Sequence, residues 1–252
     1  MKGLFAGLDC LTIVGMLDIP LKERLIIALD LPTVEDARII AARLGDAVTF
    51  YKIGLELLFA GGIALARELS GQGKKVFLDA KLLDIDRTVE RATANISMLG
   101  VDFLTVHGHS PTLKAAVRGR GASSLRLLAV TVLTSEGPED MAELGTHFSV
   151  EELVLRRAEA AITAGCEGVI ASGREASAIR AAFGTRLLIV TPGIRSKGVA
   201  RDDQKRATTP EEAIGAGADY LVMGREILRS PDPGGTAEAV LSRVGAALAR
   251  QH

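Results

Sequence analysis

In the stretch Phe77-Leu78-Asp79-Ala80-Lys81-Leu82-Leu83-Asp84-Ile85-Asp86-Arg87-Thr88, an apolar run ends in two carboxylates bracketing a lysine. Strand side chains alternate between faces, so Asp79 and Lys81, two apart, share one. Asp84 falls just beyond, at the turn into the next helix, where it can swing back toward the same space or toward a neighbouring chain. Charge placed where a strand would carry Val or Leu is costly unless the charges satisfy one another. A lone Asp-Lys pair reads as a structural ion network. Three such charges at a strand's carboxyl end point instead to a site. A lysine between carboxylates keeps its charge, and a fixed ammonium can stabilise negative charge and then supply a proton.

A second set of residues carries a different chemistry. Thr191-Pro192-Gly193-Ile194-Arg195 and Gly224-Arg225 join glycine amides to arginines, and an arginine fork can grip a phosphate through two hydrogen bonds. Either Gly-Arg pair alone is no more than a turn. Together, after the last two strands of a barrel, they form a phosphate handle.

The elements that must position these groups follow a regular rhythm from Arg24 onward. Short apolar runs at 25–30, 48–53, 75–81, 101–106, 126–132, 168–171, 187–190 and 220–223 read as strands, separated by segments of helical period. Thr33 with Asp36, and Thr209-Pro210-Glu211-Glu212, read as helix caps. The region 56–69 reads as one continuous second helix, and Ser110-Pro111 as a cap followed by a first turn. Eight strand-then-helix units predict a (β/α)₈ TIM barrel, with an open doubly wound sheet as the alternative. In a barrel the chemistry sits at the strands' carboxyl ends. Asp30, Lys52, Asp79, Lys81, His107, Thr134, Ser135, Arg195, Gly224 and Arg225 all fall there. His107 and His109 are placed where a site role is open to them, with a hydrogen-bonded structural role the favoured reading. Residues 196–208 make a long polar connection with Gly198 as a hinge, which reads as a lid over the phosphate, with a merely solvated loop as the alternative.

The 252 residues, 48% of them hydrophobic, suffice for one large α/β domain. Thirty basic against 31 acidic residues leave a net charge of -1, which gives a nucleic-acid partner no electrostatic support. Cys10 and Cys166 cannot build a disulfide framework or a metal site, in keeping with a reducing cytoplasm. Asp9 and Asp18 interrupt the apolar start and no cleavage site follows, so the expectation is neither a signal peptide nor a membrane span. Residues 1–20 are expected to form an arm preceding a barrel domain at 21–252.

These residues carry a family resemblance. From Leu25 to the last helix the chain resembles orotidine 5'-phosphate decarboxylase, through Ala28-Leu29-Asp30, Tyr51-Lys52-Ile53-Gly54 and Asp79-x-Lys81-x-x-Asp84-Ile85-x-x-Thr88. Val130-Thr131-Val132-Leu133-Thr134-Ser135, Thr191-Pro192-Gly193-Ile194-Arg195 and Tyr220-Leu221-Val222-Met223-Gly224-Arg225 extend it. The third-strand signature is the most specific. Asp86-Arg87 stand where the family commonly has proline and a small polar residue, and Leu83 where it often has histidine.

The resemblance implies decarboxylation of orotidine 5'-monophosphate to uridine 5'-monophosphate without metal or organic cofactor. It implies Lys81 as proton donor to pyrimidine C6 and Lys52, Asp79 and Asp84 as the rest of an alternating charge network. Asp84 would reach into the partner's site of a homodimer. Asp30 and Lys52 would contact the ribose, as would Thr88 from across the dimer. Thr134 and Ser135 would lie near the pyrimidine, and Pro192, Arg195, Gln204, Gly224 and Arg225 toward the phosphate. Two rival readings stand beside this one. A metal-dependent sugar-phosphate decarboxylase or aldolase would share the third-strand signature, but Lys52 would repel its cation. A non-catalytic phosphate-ligand binder could use the same scaffold.

Overall fold

The computed structural model describes residues 18–143, 145–196 and 208–250. Most of the arm, the body of the 196–208 connection and Gln204 lie outside them. Among the described residues, eight parallel strands close into a barrel in the order β1 to β8, with each strand beside its sequence neighbours and β8 beside β1. The strands are β1 (Leu25–Ala28), β2 (Phe50–Gly54), β3 (Lys75–Leu82), β4 (Phe103–His107), β5 (Arg126–Val130), β6 (Gly168–Ile170), β7 (Leu188–Thr191) and β8 (Tyr220–Met223). The closed barrel replaces the doubly wound alternative.

Helices cover the outside: α1 (Val34–Leu44), α2 (Leu55–Leu57), α3 (Ile63–Gly71), α4 (Asp86–Ser97), α5 (Ser110–Arg120), α6 (Val150–Ala164), α7 (Gly173–Phe183), α8 (Pro210–Gly215), α9 (Arg225–Leu228) and α10 (Pro233–Ala249). Local chemistry sets several of their starts. Thr33 accepts from the Asp36 backbone N–H, and Ser149 and Thr209 do the same for Glu152 and Glu212, satisfying donors the first turn leaves open.

Two local expectations are corrected. The second helix is broken: a π-turn at Leu58–Gly62 separates α2 from α3 and carries Gly61 at φ 102°, a conformation open to glycine. The cap position of α5 belongs to His109, without a side-chain bond, and Ser110 is already helical.

The apolar strand residues divide between two layers. Outward side chains such as Ile27, Ile53 and Leu104 pack under the helices. Inward ones fill the lower barrel, where Phe50, Phe77, Phe103 and Tyr220 form a floor. The Phe103 ring centroid lies 5.0 Å from Phe50 and 5.2 Å from Tyr220, the latter at 86°, an edge-to-face arrangement favoured by ring quadrupoles. Ile19 packs against this floor from the end of the arm. With the lower half filled, open space remains only toward the strands' carboxyl ends.

Candidate active site

That space is a cavity of about 680 Å³, within the range of small-ligand sites. It is lined by Asp30, Lys52, Asp79, Lys81, Thr134, Ser135, Pro192, Arg195, Gly224 and Arg225. Ten of the residues singled out in the sequence therefore share one cavity, contributed by the ends of β1, β2, β3, β5, β7 and β8.

On one side of it the charges alternate. Lys52 Nζ lies 2.9 Å from Asp30 Oδ1 and 3.4 Å from Asp79 Oδ2. Lys81 Nζ lies 2.8 Å from the same Asp79 oxygen. Lys52 is buried, yet its pKa is raised: burial opposes the charge, and the attraction of Asp79 and Asp30 outweighs burial. Burial likewise opposes the Asp79 carboxylate. Lys52 and Lys81, with hydrogen bonds from Lys81 and Thr105, hold it below the ordinary carboxylate range. Lys52 and Asp79 are thus both held in their charged forms at neutral pH.

The backbone explains how Asp79 and Lys81 come together. Between Leu78, paired with Leu104, and Leu82, paired with Val106, the β3 register slips. Asp79, Ala80 and Lys81 stand opposite the single Thr105, as in a bulge that re-aims side chains. Lys81 has φ 47°, the one positive φ at a non-glycine among the described residues. Such a conformation costs energy and is found where surrounding contacts enforce it. Thr105 supplies two of those contacts. Its hydroxyl accepts from the Lys81 backbone N–H at 3.0 Å and donates to Asp79 Oδ1 at 2.9 Å.

Another part of the lining is rich in glycine and arginine. Pro192, Gly193, Arg195, Gly224 and Arg225 converge there after β7 and β8. Arg195 N–H donates to the Thr208 carbonyl at 3.0 Å, so the β7 connection begins and ends at one point. Ser196 is anchored twice, its N–H donating to Glu226 and its hydroxyl accepting from Arg243, both at 2.9 Å.

Asp84 and Thr88 do not join this cavity within their own chain. Both are exposed, and Asp84 Oδ1 accepts from the next backbone N–H, that of Ile85, at 2.6 Å. Two apolar neighbours in the chain are exposed with them, Leu83 at 60% and Ile85 at 74%. His109 is exposed, and half-buried His107 has its pKa lowered by burial, then by Arg157 and Lys81.

Sequence reasoning passed over Thr105, Glu56 and Arg229, although the latter two also line the cavity. Arg229 was accessible as the residue one turn beyond Arg225. Thr105 was accessible from its inward register between Phe103 and His107. Among the described residues no cluster of three His, Cys, Asp or Glu side chains could hold a metal ion, and no helix is long and apolar enough to cross a membrane.

A closed barrel whose cavity joins a chain of alternating charges to glycines and arginines after the last two strands defines an enzyme scaffold for a small molecule. Residues 23–240 match the orotidine 5'-phosphate decarboxylase / HUMPS family, and the chain belongs to that family. It is 51% identical over 230 residues to an orotidine 5'-phosphate decarboxylase of Rhodopseudomonas palustris, covering 91% of this chain and 97% of the relative. The counterpart from Bradyrhizobium diazoefficiens is 50% identical over 227 residues, covering 90% and 96%. The crystal structure of the Lactobacillus acidophilus orotidine 5'-phosphate decarboxylase superposes with a TM-score of 0.78 at 35% identity, covering 88% of this chain and 99% of that one.

Proposed function

We propose that this chain decarboxylates orotidine 5'-monophosphate to uridine 5'-monophosphate and carbon dioxide. The observation that carries the proposal is the ion-paired sequence Asp30, Lys52, Asp79, Lys81, with Lys52 buried at its centre, in the same cavity as Arg195 and Arg225. In the reaction the bond from C6 to the carboxylate breaks and its electron pair stays on C6, where no conjugated system accepts it. The Lys81 ammonium stabilises that charge and transfers a proton to C6, leaving a neutral amine. Asp79, ionised beside the substrate carboxylate, repels it until carbon dioxide departs. Asp30 and Lys52 hold the ribose, Thr134 and Ser135 the pyrimidine edge, and Pro192, Arg195, Gly224 and Arg225 the phosphate end, with Gln204 joining them. Binding energy gathered at the phosphate orders the reacting end.

The active unit in this reading is a homodimer, with Asp84 and Thr88 completing the partner's cavity. Their exposure, and the exposed apolar Leu83 and Ile85 beside them in the chain, support it. The setting is cytoplasmic, consistent with a nucleotide substrate and with Cys166 as a buried free thiol. The metal-dependent rival is disfavoured by Lys52, whose ammonium already engages Asp30 and Asp79.

Loss of substrate absorbance on adding orotidine 5'-monophosphate, in the presence of a chelator, tests the proposal. Turnover that persists with chelator and disappears in Lys81→Ala is the expected result. Turnover that stops with chelator and returns with magnesium would favour the rival, and none under either condition would favour a binding protein.

A further inference from the structure

The decarboxylase reading leaves one buried polar group beside the reacting end without a part. Thr105 sits on β4, opposite the β3 bulge, and is fully buried. Its single hydroxyl proton goes to Asp79 Oδ1 and its lone pair receives the Lys81 backbone N–H. The two oxygens of Asp79 are thereby given different tasks. Oδ1 is tied to the barrel wall, and Oδ2 alone faces the ammonium groups of Lys81 and Lys52. We infer that Thr105 is a positioning residue for the decarboxylation, fixing which oxygen Asp79 presents to the lysines and clasping the left-handed backbone from which Lys81 projects.

The inference follows from satisfaction and strain together. A carboxylate held by lysine side chains alone can rotate and exchange oxygens, because flexible ammonium groups follow it. A hydroxyl fixed to a neighbouring strand cannot follow. Lys81, at φ 47°, would relax toward the extended region preferred by side-chain-bearing residues if nothing opposed it. The hydrogen bond from its N–H to Thr105 opposes that movement. Removing the hydroxyl leaves two buried polar groups unsatisfied, one of them charged. Because Thr105 is on β4 while Arg195 and Arg225 follow β7 and β8, the change falls on the chemical step and spares nucleotide binding.

The test uses two substitutions in the full chain, and it rests on the decarboxylase reading only for its kinetic arm. Thr105→Val keeps the shape and removes the hydroxyl. Thr105→Ser keeps the hydroxyl and removes a methyl. Thr105→Val should lower kcat roughly ten- to a hundredfold, the loss expected for a hydrogen bond to a charged group. Its KM should stay within about threefold, and Thr105→Ser should recover kcat to within about threefold of the parent. The second arm needs no substrate: the Asp79 carboxyl carbon is followed by NMR through an acid titration. The charged groups around it are Asp30 after β1, Lys52 of β2, Lys81 of β3 and half-buried His107 of β4, and both variants retain all of them. A midpoint that rises in Thr105→Val and stays at the parent value in Thr105→Ser supports the inference. An unchanged midpoint in Thr105→Val overturns it. So does equal slowing in both variants, which would assign the effect to packing. Failure of the parent protein to consume orotidine 5'-monophosphate would refute the decarboxylase reading while leaving the titration to judge Thr105.

Discussion

A Cβ added to Gly54 would stand 2.9 Å from the Lys52 ammonium and 3.0 Å from Asp30 Oδ1. Glycine at the end of β2 is thus what lets Lys52 and Asp30 meet. Lys52 is buried between two carboxylates, so it cannot swing aside as a surface lysine would. Gly54→Ala should fold with a melting temperature near the parent's. Displacing the pair by part of an ångström should lower kcat/KM roughly tenfold or more. Steady-state kinetics beside a thermal melt checks this, and kcat/KM within about twofold of the parent would mean that the pair tolerates looser spacing.

Arg225 lines the same cavity as the charge network. Arg225→Ala should weaken binding of uridine 5'-monophosphate by roughly ten- to a hundredfold, the value of a charge-assisted phosphate contact. Binding of uridine, which lacks the phosphate, should change little. Calorimetric titration of both ligands separates the cases; equal losses would show that Arg225 shapes the cavity without gripping phosphate.

Asp84 faces outward from its own barrel. If it serves the partner's site, Lys81→Ala and Asp84→Ala should each be severely impaired as homodimers. In a mixed dimer one site would carry both defects, and the other would combine an intact Lys81 with an intact Asp84. Mixing the two proteins under exchange conditions should restore turnover, approaching one good site per heterodimer. Exchange verified by mass without recovered activity would place Asp84 in its own chain's site.

The charge network also sets a pH window for stability. The Asp79 pKa is depressed below its ordinary 3.8 on folding, so its contribution is present above that pH and is lost as pH falls through the folded value. The Lys52 pKa is raised above 10.5, so its contribution is complete below that pH and is lost as pH rises through the folded value. The stability gap between the parent and Asp79→Asn should therefore be wide at neutral pH and shrink in acid below 3.8. Urea unfolding at both pH values measures it, and a gap independent of pH would contradict the linkage.

Much of this was legible because local rules and global fold agree. The strand rhythm emerged from apolar runs, and Thr33 and Thr209 cap their helices by short-range bonds. The charges at Lys52, Asp79 and Lys81 announced a site because burying them is otherwise costly. The break at Gly61 did not show, since apolar spacing continues through it and only the backbone records the left-handed residue. Asp79 and Lys81 do meet, but through a bulge and a positive φ rather than by simple strand alternation. Thr105 escaped notice because threonine is an ordinary strand residue; its importance comes from facing a slipped register on the neighbouring strand. The outward aim of Asp84 was likewise open in the sequence, where the turn allowed either direction.

The aromatic floor has a consequence for traffic. Phe77 belongs both to that floor and to the cavity wall, so the barrel is a blind well and not a tunnel. Whatever comes in must leave through the opening by which it arrived. In the proposed reaction, carbon dioxide released in the well has to diffuse past the nucleotide still bound, or wait for it to let go. On that reading arrival and departure compete for one doorway, and the strength of the nucleotide's hold sets how often the well is emptied.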